Sequence, residues 1–161
     1  MTLTATCLCL LTRTGPSGGR EVLLGLKKTG FGTGKMVGLG GHVERGESVV
    51  QATVREVKEE SGILVEPVDL RGLGVIAFRF PARPQWDLLV TIFVADRFTG
   101  QPAESDEIVP QWFPVDRLPY ERMWDDARYW LPRVLAGERV TADITFADDS
   151  QTVAEARFGE V

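Results

Sequence analysis

Cysteine occurs only twice in 161 residues, at Cys7 and Cys9, and histidine once, at His42. That scarcity excludes a disulfide framework and leaves a two-cysteine metal site without soft partners beyond His42. On an extended stretch the two thiols point to one face, the pattern of buried, reduced side chains. No run approaches the roughly eighteen uninterrupted apolar residues of a membrane span, and Met1 is not followed by the basic and apolar segments of a signal peptide. A cytoplasmic protein with no membrane partner is expected. Basic excess is lacking too: 18 Lys and Arg against 23 Asp and Glu leave a net charge of −5. This argues against a nucleic-acid polymer as partner, whose phosphates need a basic surface. A small nucleotide remains compatible, because a bound cation inverts the local field. Repeats, low-complexity tracts and linkers are absent as well. The length suits one core of ordinary size, so a single domain over 1–161 is expected, and nothing points to an obligatory protein partner.

What the chain does have is a dense acidic segment. Between Gly41 and Ile63 it reads GHVERGESVVQATVREVKEESGI. Ser48 with Gln51 forms a capping box and Gly62 supplies a C-terminal stop, which predicts a helix over 48–61. On that helix Glu56, Glu59 and Glu60 are three and four positions apart and share one face. Val50, Val54 and Val57 fall on another stripe, expected to be buried. Clustered carboxylates repel one another, so packing has no use for them, whereas Mg²⁺ takes a few carboxylates together with water and phosphate oxygens. The plainer reading is a solvated acidic face with Arg55–Glu59 as an i,i+4 pair. The Gly38-Leu39-Gly40-Gly41 turn ahead of the helix and the spacing of the acids favour the metal.

Alternating runs predict strands at Thr4–Thr12 and Glu21–Lys27 around a Gly15–Gly19 turn, at Leu70–Phe80 and Leu88–Ala95, and at Val109–Val115. Gly30–Gly41 reads as a loop. A second helix is expected at Met123–Ala136 with Trp124, Trp130 and Leu131 on its apolar side. Val140–Phe146 and Thr152–Phe158 form a hairpin about Ala147-Asp148-Asp149-Ser150. The order fits an α/β fold, a mixed sheet between two main helices.

The acidic segment fills every constrained position of G-x5-E-x7-R-E-U-x-E-E-x-G-U, with U a bulky aliphatic residue: Gly41, Glu47, Arg55, Glu56, Val57, Glu59, Glu60, Gly62 and Ile63. The chain thereby resembles the Nudix family of hydrolases, which implies an α/β/α sandwich with a mixed sheet. VLLGLKKTGFGTGKMVGLGGHVERGES at 22–48, AESDEIVPQWF at 103–113, MWDDARYWLP at 123–132 and FGEV at 158–161 are similar to the branch of that family acting on oxidised purine nucleoside triphosphates. The resemblance implies a diphosphatase that converts 8-oxo-dGTP, and with it 2-oxo-dATP, to monophosphate and pyrophosphate, sanitising the nucleotide pool.

Carried over position by position, the Gly40 carbonyl and the carboxylates of Glu56, Glu60 and Glu107 would hold Mg²⁺, with Mn²⁺ as a substitute. Glu104 is the nearest rival to Glu107. Glu59, in the same acidic set available to the metal, is the candidate for water activation, although coupled carboxylates titrate as a group. Arg55 and Glu47 would pair with each other and support the catalytic face. For the substrate, Lys27 would line the nucleotide site, Trp124 would stack on the purine, Phe31 and Phe78 would form apolar walls, and Asp126 would read the purine edge. Three positions depart from the family pattern. Ala127 replaces a second acid, Val37 an Asn, and Met36 a Trp. These departures leave the base open, and a Nudix hydrolase of unmodified dNTPs, ADP-ribose or dinucleoside polyphosphates fits the same box. A nucleotide-binding regulator without hydrolysis is disfavoured by the retained glutamates, and an isoprenoid diphosphate isomerase by cysteines confined to the first strand.

Overall fold

The computed structural model describes residues 3–159; Met1, with which the signal-peptide reading begins, and positions 160 and 161 of the FGEV run lie outside that range. Strand β1 (Thr4–Thr14) and strand β2 (Arg20–Lys27) pair as the expected hairpin. Its turn places Gly18 at φ +88°, a conformation open to glycine at little cost.

The 30–41 stretch is not all loop. Met36–Val37 forms β3 against β2, and Leu39–His42 forms β4 against the first half of β1. Glycine-rich sequence carries no alternating signal, so tertiary pairing decided these strands. The glycines permit it by close approach: a Cβ on Gly38 would sit 2.7 Å from Leu8 Cδ2, and one on Gly40 would overlap the Cys7 carbonyl.

Helix α1 (Val49–Ser61) follows, with Ser48 and Gln51 exchanging both capping-box bonds at 3.0 and 2.8 Å and Gly62 closing the end at φ +79°. Its buried side is Ala52, Thr53, Val57, Glu60 and Ser61, while Val50 and Val54 are only half-buried at the rim. The valine stripe is therefore displaced toward small residues, which let the helix lie close on β4.

The remaining strands are β5 (Arg71–Arg79), β6 (Leu88–Ala95), β7 (Ile108–Pro114), β8 (Val140–Phe146) and β9 (Val153–Phe158). The sheet runs β3-β2-β1-β6-β5-β8-β9, with β4 added on β1 and β7 on β2. It is mixed: β1–β6 and β5–β8 are parallel and the other pairings antiparallel. Helix α2 spans Ala127–Leu135, shorter than expected, because Met123 is extended at φ −112° and ψ 166°. Trp124 consequently precedes the helix and is free to face a cavity.

Strand alternation sorts the core into two layers. Leu10, Val22, Leu24, Ile92 and Val94 join Trp130, Leu131 and Val134 of α2 on one side of the sheet. Their neighbours Cys9, Leu11, Leu23, Phe93 and Ala95 join Val57 of α1 on the other. The result is the α/β/α sandwich, and full burial of a side chain such as Val57 contributes about 1.5–3 kcal/mol. Cys7 and Cys9 are both buried free thiols. Among the described residues no helix is long and apolar enough to cross a membrane.

Candidate active site

The acidic end of the site is built where α1 meets β4. Glu60 is buried, and its Oε1 accepts from the Gly40 N–H at 2.8 Å. Gly41 belongs to the same contact surface: a Cβ there would lie 2.6 Å from the Glu56 carboxyl carbon and would displace that carboxylate. Arg55 forks onto Glu47 with Nε–Oε2 and Nη2–Oε1 bonds of 2.8 Å each, the pairing expected from the sequence. Its Nη1 also reaches Glu56 Oε1 at 2.9 Å and Glu59 Oε2 at 3.2 Å, and its Nη2 donates to the His42 carbonyl at 3.1 Å. The Arg55 bonds hold the Glu47 carboxyl down at about 2, and Arg55 is in turn more firmly protonated. One guanidinium thus fixes three carboxylates and the strand beside them.

Glu107, one residue ahead of β7, brings a third carboxylate to Glu56 and Glu60, and ligand oxygens of the three lie within 4.8 Å of one another. Glu59 stands apart from this trio, 55% exposed and turned toward Arg55. Without a cation the trio is unfavourable. Burial pushes Glu60 up to about 8, opposed by the Gly40 N–H and by Lys27 and reinforced by Glu56 and by a hydrogen bond with Glu107. Burial likewise raises Glu56. An oxygen-only set on a rigid helix, in a cradle that a Cβ would fill, fits a hard divalent cation.

A cavity of about 670 Å³ runs across the sheet from this trio to residues of β5, β8 and the approach to α2. Lys27, Phe31, Val37, Gly40, Phe78, Trp124 and Asp126 line it together with Glu56, Glu60 and Glu107, whereas Arg55 and Glu59 lie outside its lining. Asp126 is buried, accepts from the Trp130 indole N–H at 2.7 Å, and is pushed up to about 6 by that burial. Ala127 beside it is apolar and buried. Asp125 does not substitute for the missing acid, because it accepts from the Val153 N–H at 2.9 Å and pairs with Arg128 at 3.1 Å.

Sequence reasoning named Phe31 and Trp124 and missed Trp86, Phe80 and Phe146, which complete an aromatic cluster at this end. Phe31 stacks on Trp124 with centroids 5.0 Å apart and planes at 21°, and meets Trp86 edge-on at 5.0 Å. Phe80 meets Phe31, Trp86 and Trp124 edge-on and stacks on Phe146 at 4.5 Å. Lys35 Nζ lies 4.7 Å from the Trp124 ring centre. Trp86 sits in the β5–β6 connection, where two prolines announce a loop and nothing announces a wall. For Phe80, one residue past the end of β5, and for Phe146, the last residue of β8, continued strand alternation was the available signal.

Carboxylates at one end of a cavity and an aromatic box at the other, on an α/β/α sandwich, define a hydrolase site of Nudix type, and residues 2–134 match the NUDIX domain. The chain belongs to the Nudix hydrolase family. It is 43% identical over 141 residues to the oxidized purine nucleoside triphosphate hydrolase of Danio rerio, covering 88% of each chain. It is 41% identical over 129 residues to the protein of that name from Mus musculus, covering 80% of this chain and 81% of the relative. Among solved structures, a MutT protein from Bacillus halodurans superposes with a TM-score of 0.81 over 97% of both chains at 22% identity, a likeness of fold.

Proposed function

We propose that this chain, acting as one domain, hydrolyses oxidised purine nucleoside triphosphates, 8-oxo-dGTP foremost and 2-oxo-dATP with it, to monophosphate and pyrophosphate. Mg²⁺ is the proposed cofactor and Mn²⁺ its substitute. The observation that carries the reading is the continuity of one cavity from Glu56, Glu60 and Glu107 to Trp124 and Asp126. The Danio rerio and Mus musculus relatives, named for this activity, support it over most of their length.

Glu56, Glu60, Glu107 and the Gly40 carbonyl would hold the cation, which when bound neutralises phosphate oxygens and lowers the pKa of water. Lys27, from β2, meets the polyphosphate at the same end. Glu59, half-exposed and steadied by Arg55, takes the proton from the attacking water. Arg55 keeps Glu56 and Glu59 aligned, and Glu47 keeps Arg55 in place. By analogy with the family, the water oxygen forms a bond to the β-phosphorus in line with the bridging oxygen, whose bond breaks as the monophosphate leaves. Trp124 offers its face to the purine, Phe31 and Phe78 exclude water, and Asp126, whose carboxyl is pushed up to about 6, accepts from the purine edge when ionised at pH 7 and can donate to it only as pH falls below about 6.

A second reading is a less selective hydrolase that also takes unmodified purine triphosphates. Val37 and Ala127 favour it, because neither side chain can hydrogen-bond a base. Assay of a nucleotide panel with Mg²⁺, scored by pyrophosphate release, separates the two. Equal rates on 8-oxo-dGTP and dGTP select the second, and orthophosphate as sole phosphate product rejects both. Reaction in ¹⁸O-water is expected to label pyrophosphate, and label in the monophosphate instead would move the attack to the α-phosphorus.

A further inference from the structure

Glu107 reaches the trio from a segment with little backbone support of its own. The β2–β7 ladder ends at the Lys27–Ile108 pair, so residues 104–107 lie beyond the last paired position. The next residue of β2's chain, Lys28, gathers them. Its N–H donates to the Glu107 carbonyl at 2.8 Å, and its Nζ donates to the Ser105 carbonyl at 2.8 Å and to the Glu104 carboxylate. Within the loop the Ser105 hydroxyl accepts from the N–H groups of Glu107 and Ile108 at 3.3 Å each, and the Ser105 N–H returns to the Ile108 carbonyl at 3.1 Å.

We infer that Lys28 is a positioning residue: it latches the 104–107 loop so that Glu107 meets Glu56 and Glu60, and it thereby sets the affinity of the site for a divalent cation. This rests on the reading of the trio as a cation site. The latch also separates the two acids that the sequence left as rivals. Glu104 is taken up by Lys28, and Glu107 is left to face the helix. An exposed lysine–glutamate pair alone contributes little. Here the same ammonium also holds a backbone carbonyl two residues before the ligand, and groups that orient metal ligands typically change metal affinity by about 10–100-fold.

The sign of the effect discriminates between roles. A lysine acting only through its charge repels a nearby cation, so its removal would tighten metal binding. A lysine acting through Glu107 does the opposite. The experiment is Mn²⁺ binding to the nucleotide-free full chain, followed by electron paramagnetic resonance of the free ion, which removes any contact of Lys28 with substrate from the measurement. Lys28→Met is expected to raise the Mn²⁺ Kd about tenfold with its far-ultraviolet circular dichroism unchanged, and Lys28→Arg, which keeps a donor for both partners, to restore it to within about twofold. In a Glu107→Gln background, Lys28→Met is expected to add less than about twofold, because the carboxylate it positions is gone. An unchanged or lower Kd in Lys28→Met, or the same tenfold loss with and without Glu107, overturns the latch while leaving the cation site intact. Absence of Mn²⁺ binding by the unsubstituted chain overturns the cation site and the latch together.

Discussion

The two ends of the cavity are held together by different physics. At the acidic end Glu47, Glu56, Glu59 and Glu60 are tied by charge-assisted bonds of definite length, from the Arg55 fork on Glu47 to the Gly40 N–H on Glu60, and Gly40 admits no added atom against the Cys7 carbonyl. At the aromatic end Phe31, Trp86, Phe80, Trp124 and Phe146 pack by edge and face, with Asp126 the one buried carboxylate among them. Directional bonds tolerate little substitution, whereas ring packing accommodates different partners at modest cost. The three departures from the family pattern, Met36, Val37 and Ala127, all fall at the aromatic end. With the roles proposed for the two ends, chemistry and choice of substrate would be free to change independently.

The comparison is broken most severely by removing a charge from the acidic end. Glu56→Gln or Glu60→Gln is expected to lower kcat by several orders of magnitude while leaving the ranking of bases as it was, checked by steady-state rates across a nucleotide panel. The metal-free Glu60→Gln protein is expected to melt no lower than the parent at pH 7, because burial already disfavours the charge it removes.

The next effect belongs to the other end. Trp124→Ala removes a stacking surface of about 1–3 kcal/mol and is expected to lower kcat/KM for all purine triphosphates by roughly ten- to hundredfold, with the Mn²⁺ Kd unmoved. A loss of metal affinity in that variant would show that the two ends are coupled.

Val37→Asn sharpens the contrast by restoring a donor and an acceptor to the wall. The ratio of kcat/KM for 8-oxo-dGTP over dGTP is expected to rise, by roughly tenfold if the purine atom it meets is buried. A ratio that stays level or drops would place the purine in another orientation without touching the metal site.

The smallest effect is on stability. Asp126 has its folded pKa raised to about 6 by burial, so the folded state binds the proton more tightly than the unfolded one. Its stabilising share is complete below the ordinary aspartate value near 4 and is lost as pH rises through about 6. Asp126→Asn keeps an acceptor for the Trp130 N–H and carries no charge. Its Tm relative to the parent is expected to climb by a few degrees between pH 4 and pH 7, read by thermal melts in matched buffers, and a difference flat with pH would remove the buried ionisation.

The acidic end was largely legible in the sequence because its determinants are local. Cap, stop and glutamate spacing all sit within one helix, and a helix of known period places them. The same local reading could not say that Glu60 faces inward while Glu59 faces out, since that depends on where β4 packs. Strand β4 itself was hidden, because glycines give no alternation even when they form a ladder. The aromatic end was legible only in part. It converges from the β2–β3 connection, the β5–β6 connection, β8 and the approach to α2, and nothing in the local pattern around Trp86 reports that Phe31 lies beside it. Trp124 was assigned to a helix that begins three residues later.

The Phe31–Trp124 stack has a kinetic meaning. The phenyl ring covers one face of the indole, a contact of about 0.5–1.5 kcal/mol, so a purine taking that face in the role proposed for Trp124 would have to displace it. Affinity for any base stacked there would be lowered by roughly two- to tenfold relative to a bare indole. The same ring would be at hand as the monophosphate leaves, and by re-forming the stack it would compete with rebinding of the product. An internal competitor of this strength would shorten the residence of spent nucleotide in the proposed site.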